Sequence, residues 1–260
     1  MTNPIMRPEK QVYSNYTPDD FRVWKKLFTR QMELLKPAVS ETYLGALETV
    51  NFTADRIPDF QEVNNILIPL TGWSLHVVPC ISPQNIFFDF LSRKKFTATC
   101  WLRTMEQLDY IEEPDMFHDV FAHVPLLSNK AYCNFFKGIS DIAIENRDNP
   151  VAIELLGRIY WFTIEFGLKK ENNQLKIYGA GIISSAGETK HCLGTECRKI
   201  PFDVRTIMNT GFRTDLLQEQ YFVIDSFEQL YNSLPEIRTV LKDELATRKQ
   251  TGFRIISRYK

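Results

Sequence analysis

The chain has 260 residues, 44% of them apolar, and a formal net charge of −1. That is enough apolar material for one sizeable core, and it gives no electrostatic reason to expect nucleic acid or an anionic membrane as a partner. No apolar run approaches the length of a membrane span, and the first twenty residues are polar and proline-punctuated with no signal-peptide core.

Five scattered cysteines (Cys80, Cys100, Cys133, Cys192 and Cys197) form an odd set that suits a reduced cytoplasm. No internal repeat, low-complexity tract or Gly/Ser linker divides the chain, so residues 1–260 are expected to form a single domain. Helix signals dominate. Thr17-Pro18-Asp19-Asp20 supplies a cap residue, a proline at the first helical position and an acid in the first turn. Phe21, Trp24, Leu27, Phe28 and Leu35 follow at helical spacing. Helices are predicted next at 40–51 and 59–67, then a strand at Trp73–Val78. Ser82-Pro83-Gln84-Asn85 opens a helix carrying Ile86, Phe87, Phe90 and Leu91, and Phe96–Leu102 reads as a second strand. Helices at 115–123, 129–145 and 151–168 come next, then a strand at Gln220–Ile224 and a helix at 226–247, stopped by Gly252 after a basic turn. The expected fold class is mainly α with a few short β-strands, the site lying in a basket of helices.

Chemistry concentrates in Pro114-Asp115-Met116-Phe117-His118-Asp119-Val120-Phe121-Ala122-His123-Val124-Pro125. Two of the four histidines lie five residues apart there, and a lone carboxylate, Glu165, follows within an apolar segment, Tyr160 to Phe166. This is the composition of a two-histidine, one-carboxylate metal site. On an ideal α-helix, positions five apart differ by roughly 140°, so His118 and His123 cannot face one ion from an unbroken α-helix. Pro125 suggests that the helix ends between them and the chain bends His123 back. Two imidazoles and one carboxylate leave open positions suited to ferrous iron and oxygen chemistry. A zinc hydrolase can use the same ligand types, but the His-Glu-x-x-His arrangement with its adjacent base is missing. A noncatalytic module with a structural metal is a third reading, weakened because such a site normally has four protein ligands. Cys192 and Cys197 beside His191 match no common zinc spacing, and His76 and His191 are read as structural.

The blocks Glu113-Pro114-Asp115-Met116-Phe117-His118, His123-Val124-Pro125-Leu126, Tyr160-Trp161-Phe162-Thr163-Ile164-Glu165-Phe166-Gly167-Leu168 and Tyr178 to Glu188 occur in this order. In them the chain resembles the pterin-dependent aromatic amino acid hydroxylases, most closely the short bacterial phenylalanine 4-hydroxylases. The resemblance runs from the first helix to the Gln220–Val223 strand. It implies a non-haem iron held by His118, His123 and Glu165, a tetrahydropterin cofactor, O2 as co-substrate and conversion of L-phenylalanine to L-tyrosine, with tryptophan as the alternative substrate. It further implies that Arg103 grips the substrate carboxylate, Trp161 walls the substrate ring, Phe87 stacks on the pterin, and Ser184 bonds the first ligand histidine. Asp115 is read as a second carboxylate near His118 or as a first-turn acid. Ala122, Asp119, Ile111 and Phe212 depart from the family pattern, which usually has glycine and glutamate at the first two places and, in animal enzymes, threonine and tyrosine at the others. No separate regulatory or tetramerisation domain is expected, and the assembly is expected to be a monomer or dimer.

Overall fold

The structure, a computed structural model, describes residues 7–109 and 111–251, so the stop at Gly252 lies outside the described residues. Helix α1 (Pro18–Leu35) starts as its sequence requires: the Thr17 hydroxyl accepts from the Asp20 N–H, and the Asp20 carboxylate accepts from the Thr17 N–H. It buries Val23, Trp24, Leu27, Phe28 and Leu35. Helix α2 (Glu41–Thr49) follows, then α3 (Phe60–Thr71). Helix α3 runs four residues past its predicted end, with Pro69 inside it, and stops at Gly72 in the left-handed region, φ 78°. Tertiary contacts override the proline there: Leu67 is fully buried, and the Thr71 hydroxyl donates to the Leu127 carbonyl at 2.8 Å.

Strands β1 (Ser74–Val77) and β2 (Lys95–Ala98) pair in parallel, joined by α4 (Gln84–Ser92). The inward residues of α4 are Phe88 and Leu91, whereas Ile86 is exposed. Strand β2 ends four residues earlier than predicted. At Thr99 the backbone N–H turns to the Asp119 carboxylate, 2.7 Å away, and leaves the ladder. Arg103 is therefore on a loop and not at a strand end.

After a π-helical stretch (Phe117–His123) and a 3-10 turn (Pro125–Ser128) come α5 (Lys130–Glu145) and α6 (Pro150–Tyr160). A second π-helical stretch (Trp161–Glu165) leads into β3 (Leu168–Glu171), so the predicted 151–168 helix ends short of Leu168. Next in order are β4 (Gln174–Ile177), α7 (Ala180–Ile183), α8 (Ala186–His191), β5 (Arg198–Pro201), α9 (Val204–Asn209) and β6 (Gln220–Ile224). The predicted last helix is two, α10 (Phe227–Asn232) and α11 (Leu234–Thr251), with Pro235 in the first turn of the second.

A four-stranded sheet has the order β4-β3-β6-β5, and of these strands only β6 is predicted. Lys169, Lys170 and Glu171 hide β3 from a search for apolar alternation. Its real signal is Asn172-Asn173, both at positive φ (51° and 61°), the two-residue turn that fits the twist of a hairpin.

Packing on the far side of the first π-helical stretch fixes the site. Phe117 and Phe121 stack at 4.6 Å, Trp24 of α1 meets Phe117 edge-on, and Phe28 meets Phe121 edge-on. The Tyr43 hydroxyl of α2 donates to the Phe121 carbonyl at 2.7 Å. This aromatic layer clamps the segment to α1 and α2 and turns its histidines the other way.

Candidate metal centre

The helix does not break between His118 and His123. Phe117–His123 is continuous and π-helical, and Pro125 only opens the following 3-10 turn. Hydrogen bonding from i to i+5 widens each turn, so a residue five positions on returns towards the same side. The same device recurs at Glu165, where the Phe166 N–H donates to the Trp161 carbonyl at 2.9 Å. There the Tyr160 hydroxyl, also five residues away, helps to favour the ionised form of the Glu165 carboxyl.

These two stretches bring the three predicted ligands together. The His118 and His123 Nε2 atoms are 3.4 Å apart. Glu165 Oε1 lies 3.1 Å from His123 Nε2, and its Oε2 lies 3.7 Å from His118 Nε2. Among the described residues this is the one such cluster of histidine, cysteine and carboxylate side chains. Cys192 and Cys197 are free buried thiols, and His191 Nε2 meets the Gln218 carbonyl instead.

Protonation can be read from the partners. The Ser184 hydroxyl donates to the Ala180 carbonyl at 3.0 Å, so it accepts from His118 Nδ1, 2.8 Å away. His118 thus carries its proton on Nδ1 and aims the Nε2 lone pair at the cluster. Burial pushes the His118 imidazole down to about 4, against the attraction of Glu165, which keeps it neutral near pH 7. Burial acts to raise the Glu165 carboxyl, yet attraction to and hydrogen bonding with His123, then His118 and the Tyr160 hydroxyl, hold it down to about 2. His123 Nδ1 is buried with no hydrogen-bond partner, so its ring is held by packing, with Phe96 tilted against it at 5.0 Å. Two imidazole nitrogens and a carboxylate oxygen crowded at one point, in a largely buried setting, suit a divalent cation.

Beside the cluster, Arg103 and Asp115 form a buried ion pair. Arg103 Nε and Nη2 donate to the two Asp115 oxygens, each at 2.8 Å, and the Arg103 and His118 backbone N–H groups donate to the same carboxylate at 2.9 and 3.3 Å. Asp115 therefore ties the arginine to the start of the histidine segment, and Nη1 is the guanidinium nitrogen it leaves unengaged. Arg7 stacks over Trp101 at 4.1 Å and pairs with Glu113, bracing both ends of the loop that carries Arg103.

Phe87 is half-buried and meets Tyr160 edge-on at 5.4 Å. Trp161 stacks on Phe212 at 4.2 Å with 13° between planes, and its Nε1–H donates to Gln218 Oε1 at 3.0 Å. Sequence reasoning missed Tyr160, Gln218 and the grip of Thr99 on Asp119, whose carboxyl burial raises to about 7. Tyr160 had a signal, the same five-residue spacing as the histidines.

Gly167 and Gly179 permit a close approach behind Glu165: the Gly179 N–H donates to the Gly167 carbonyl at 3.0 Å. A Cβ at Gly179 would stand 2.4 Å from the Glu165 carbonyl oxygen, which is backbone and cannot swing aside. Gly179→Ala is expected to destabilise the protein by about 1–3 kcal/mol or more and to weaken metal retention, measured by urea unfolding and metal titration.

The profile of the biopterin-dependent aromatic amino acid hydroxylases matches residues 7–251. Phenylalanine-4-hydroxylase of Chromobacterium violaceum is 40% identical over 224 residues, covering 86% of this chain and 75% of that protein. The Ralstonia nicotianae enzyme of the same name is 38% identical over 246 residues, covering 93% and 78%. A crystal structure of the C. violaceum enzyme with iron(III) and 7,8-dihydrobiopterin superposes with a TM-score of 0.86 at 38% identity, covering 93% of this chain and 87% of that one. With the profile matched over all the described residues and the His118–His123–Glu165 cluster formed within the same fold, the chain belongs to the biopterin-dependent aromatic amino acid hydroxylase family.

Proposed function

We propose that this protein is an iron(II)- and tetrahydropterin-dependent monooxygenase that hydroxylates L-phenylalanine to L-tyrosine with O2. The observation that carries the reading is the convergence of His118 Nε2, His123 Nε2 and a Glu165 oxygen, with the His118 tautomer set by Ser184. The phenylalanine preference is supported by bacterial relatives named for that activity. When bound, ferrous iron and a reduced pterin supply oxygen activation and two electrons. The chain's own residues hold and orient. His118, His123 and Glu165 are the metal ligands; Ser184 sets one imidazole, and the Tyr160 hydroxyl favours the ionised form of the carboxyl. Arg103 Nη1 receives the amino acid carboxylate while Asp115 keeps the guanidinium in place. Trp161, backed by Phe212, walls the substrate ring, and Phe87 offers a face for the pterin. Val120, Phe162 and Ile164, on the two π-helical stretches that carry the ligands, are buried, and such apolar surroundings limit the approach of water.

We place residues 7–251 in a single catalytic unit, assembled as a monomer or dimer in the cytoplasm; light scattering that finds a tetramer would remove the assembly assignment. The functional test uses metal-stripped protein reloaded with ferrous iron or zinc, with O2 and tetrahydropterin each present or omitted. Tyrosine is expected only when iron, O2 and pterin are together. Hydrolytic turnover by the zinc form without O2 would instead establish the hydrolase, and faster turnover of tryptophan than phenylalanine would reassign the substrate.

A further inference from the structure

We propose that Gln218 is a positioning residue for the substrate wall, its side-chain amide tying the Trp161 indole to the loop that carries Phe212. Gln218 is buried, and all four of its polar groups are engaged. Its Oε1 accepts from Trp161 Nε1–H at 3.0 Å, and its Nε2 donates to the Arg213 and Leu216 carbonyls at 2.8 and 3.2 Å. Its backbone N–H donates to Glu188 Oε1 at 2.9 Å, and its carbonyl meets His191 Nε2 at 3.0 Å. An indole N–H can only donate and a carbonyl can only accept, so the chemistry permits one orientation of the amide.

The result is a closed ring of contacts. The indole stacks on Phe212, Phe212 is followed by Arg213, the Arg213 carbonyl is held by Gln218, and Gln218 holds the indole. The indole cannot swing away without breaking its hydrogen bond to Gln218, and the bond to the Arg213 carbonyl fixes the backbone next to Phe212. The other end of the tie is anchored on α8, where Glu188 also accepts from the Tyr221 hydroxyl. Ser184, two residues before α8 begins, sets the His118 tautomer. The wall and the metal cluster are thus referenced to one short stretch of backbone, residues 184–191.

The inference rests on the reading of Trp161 as the substrate wall, and its test separates the two. Gln218→Met keeps the side-chain length and removes the amide. It is expected to raise KM for phenylalanine about tenfold with kcat within about threefold, the effect of losing roughly one partly buried hydrogen bond. In a Trp161→Phe background, which has no indole N–H, the same substitution should change KM less than about twofold. A general loss of stability would act in both backgrounds, so equal effects would overturn the proposal. A second readout needs no turnover: in zinc-loaded protein, the Trp161 indole N–H proton resonance, identified by its absence in Trp161→Phe, should move upfield and exchange faster with water in Gln218→Met. An unmoved resonance would overturn the tie, and a moved one with unchanged KM would overturn its positioning role. Inactivity of the parent protein towards phenylalanine would sink the functional reading instead, with the resonance still deciding the tie.

Discussion

Replacing His118, His123 or Glu165 by alanine is expected to cost more than about 100-fold in metal affinity, because loss of a group that merely orients a ligand already costs about 10- to 100-fold. Tyrosine formation should fall in step with bound iron, to the background of the metal-free protein. Ser184→Ala gives the calibrating comparison. It removes the acceptor that holds His118 Nδ1–H and leaves all three ligands in place, so its loss should lie within that 10- to 100-fold range. Stability should fall as well. With no cation bound, burial opposes ionisation of Glu165, but attraction to His123 and His118 outweighs it and holds the carboxyl down to about 2, so the ionised side chain stabilises the fold at neutral pH, and that contribution is lost as pH falls through the acid range. Metal-free Glu165→Gln should therefore unfold at a lower urea concentration than the metal-free parent at pH 7, with the gap closing in acid. Bound iron retained at one atom per chain in any of the three alanine variants would remove that residue from the ligand set, and an unchanged urea midpoint for metal-free Glu165→Gln would show that the carboxylate adds nothing to the empty fold.

How the site is assembled explains which parts of it could be read from residues alone. The identities of His118, His123 and Glu165 follow from ligand chemistry and their setting, but the backbone that unites them does not. Ideal α-helix geometry rightly excludes a five-residue ligand spacing on an α-helix, but the chain does not meet that constraint with a break at Pro125. The actual remedy, a π-helical register, is chosen by tertiary contacts: the Phe117–Phe121 stack against Trp24 and Phe28 and the Tyr43 hydroxyl on the Phe121 carbonyl. Those partners lie some 70 to 100 residues away in the chain, beyond any local window. Strand β2 was overextended for a similar reason, since Thr99 to Leu102 has strand-like composition but Asp119 takes the Thr99 N–H. Helix α1 was readable almost to the residue, because its capping box and apolar spacing are both local. Strands β3 and β4 were lost because their lysines obscure the alternation, although the asparagine pair between them marks the turn.

Arg103 is 7% exposed and Asp115 is fully buried, and the carboxylate accepts four hydrogen bonds, two from the guanidinium and two from backbone N–H groups. Asp115→Ala would leave a guanidinium buried without its partner, because arginine cannot escape by losing its proton. Breaking a buried pair from one side costs about 3–5 kcal/mol, and the variant is expected to lie in that range by urea unfolding. Arg103→Ala should cost less, since the Asp115 carboxylate keeps its two backbone donors. The double variant should then be more stable than Asp115→Ala alone, because the unpaired charge is gone. Kinetics adds an independent check on the role of the arginine. Arg103→Lys keeps the charge but cannot bind Asp115 through two parallel bonds while reaching a substrate carboxylate, so KM for phenylalanine should rise at least about tenfold with the iron content unchanged. An Asp115→Ala variant within about 1 kcal/mol of the parent would show that water replaces the carboxylate at little cost. Arg103→Lys with unaltered KM would leave the pair a purely structural one and reopen the question of what holds the amino acid.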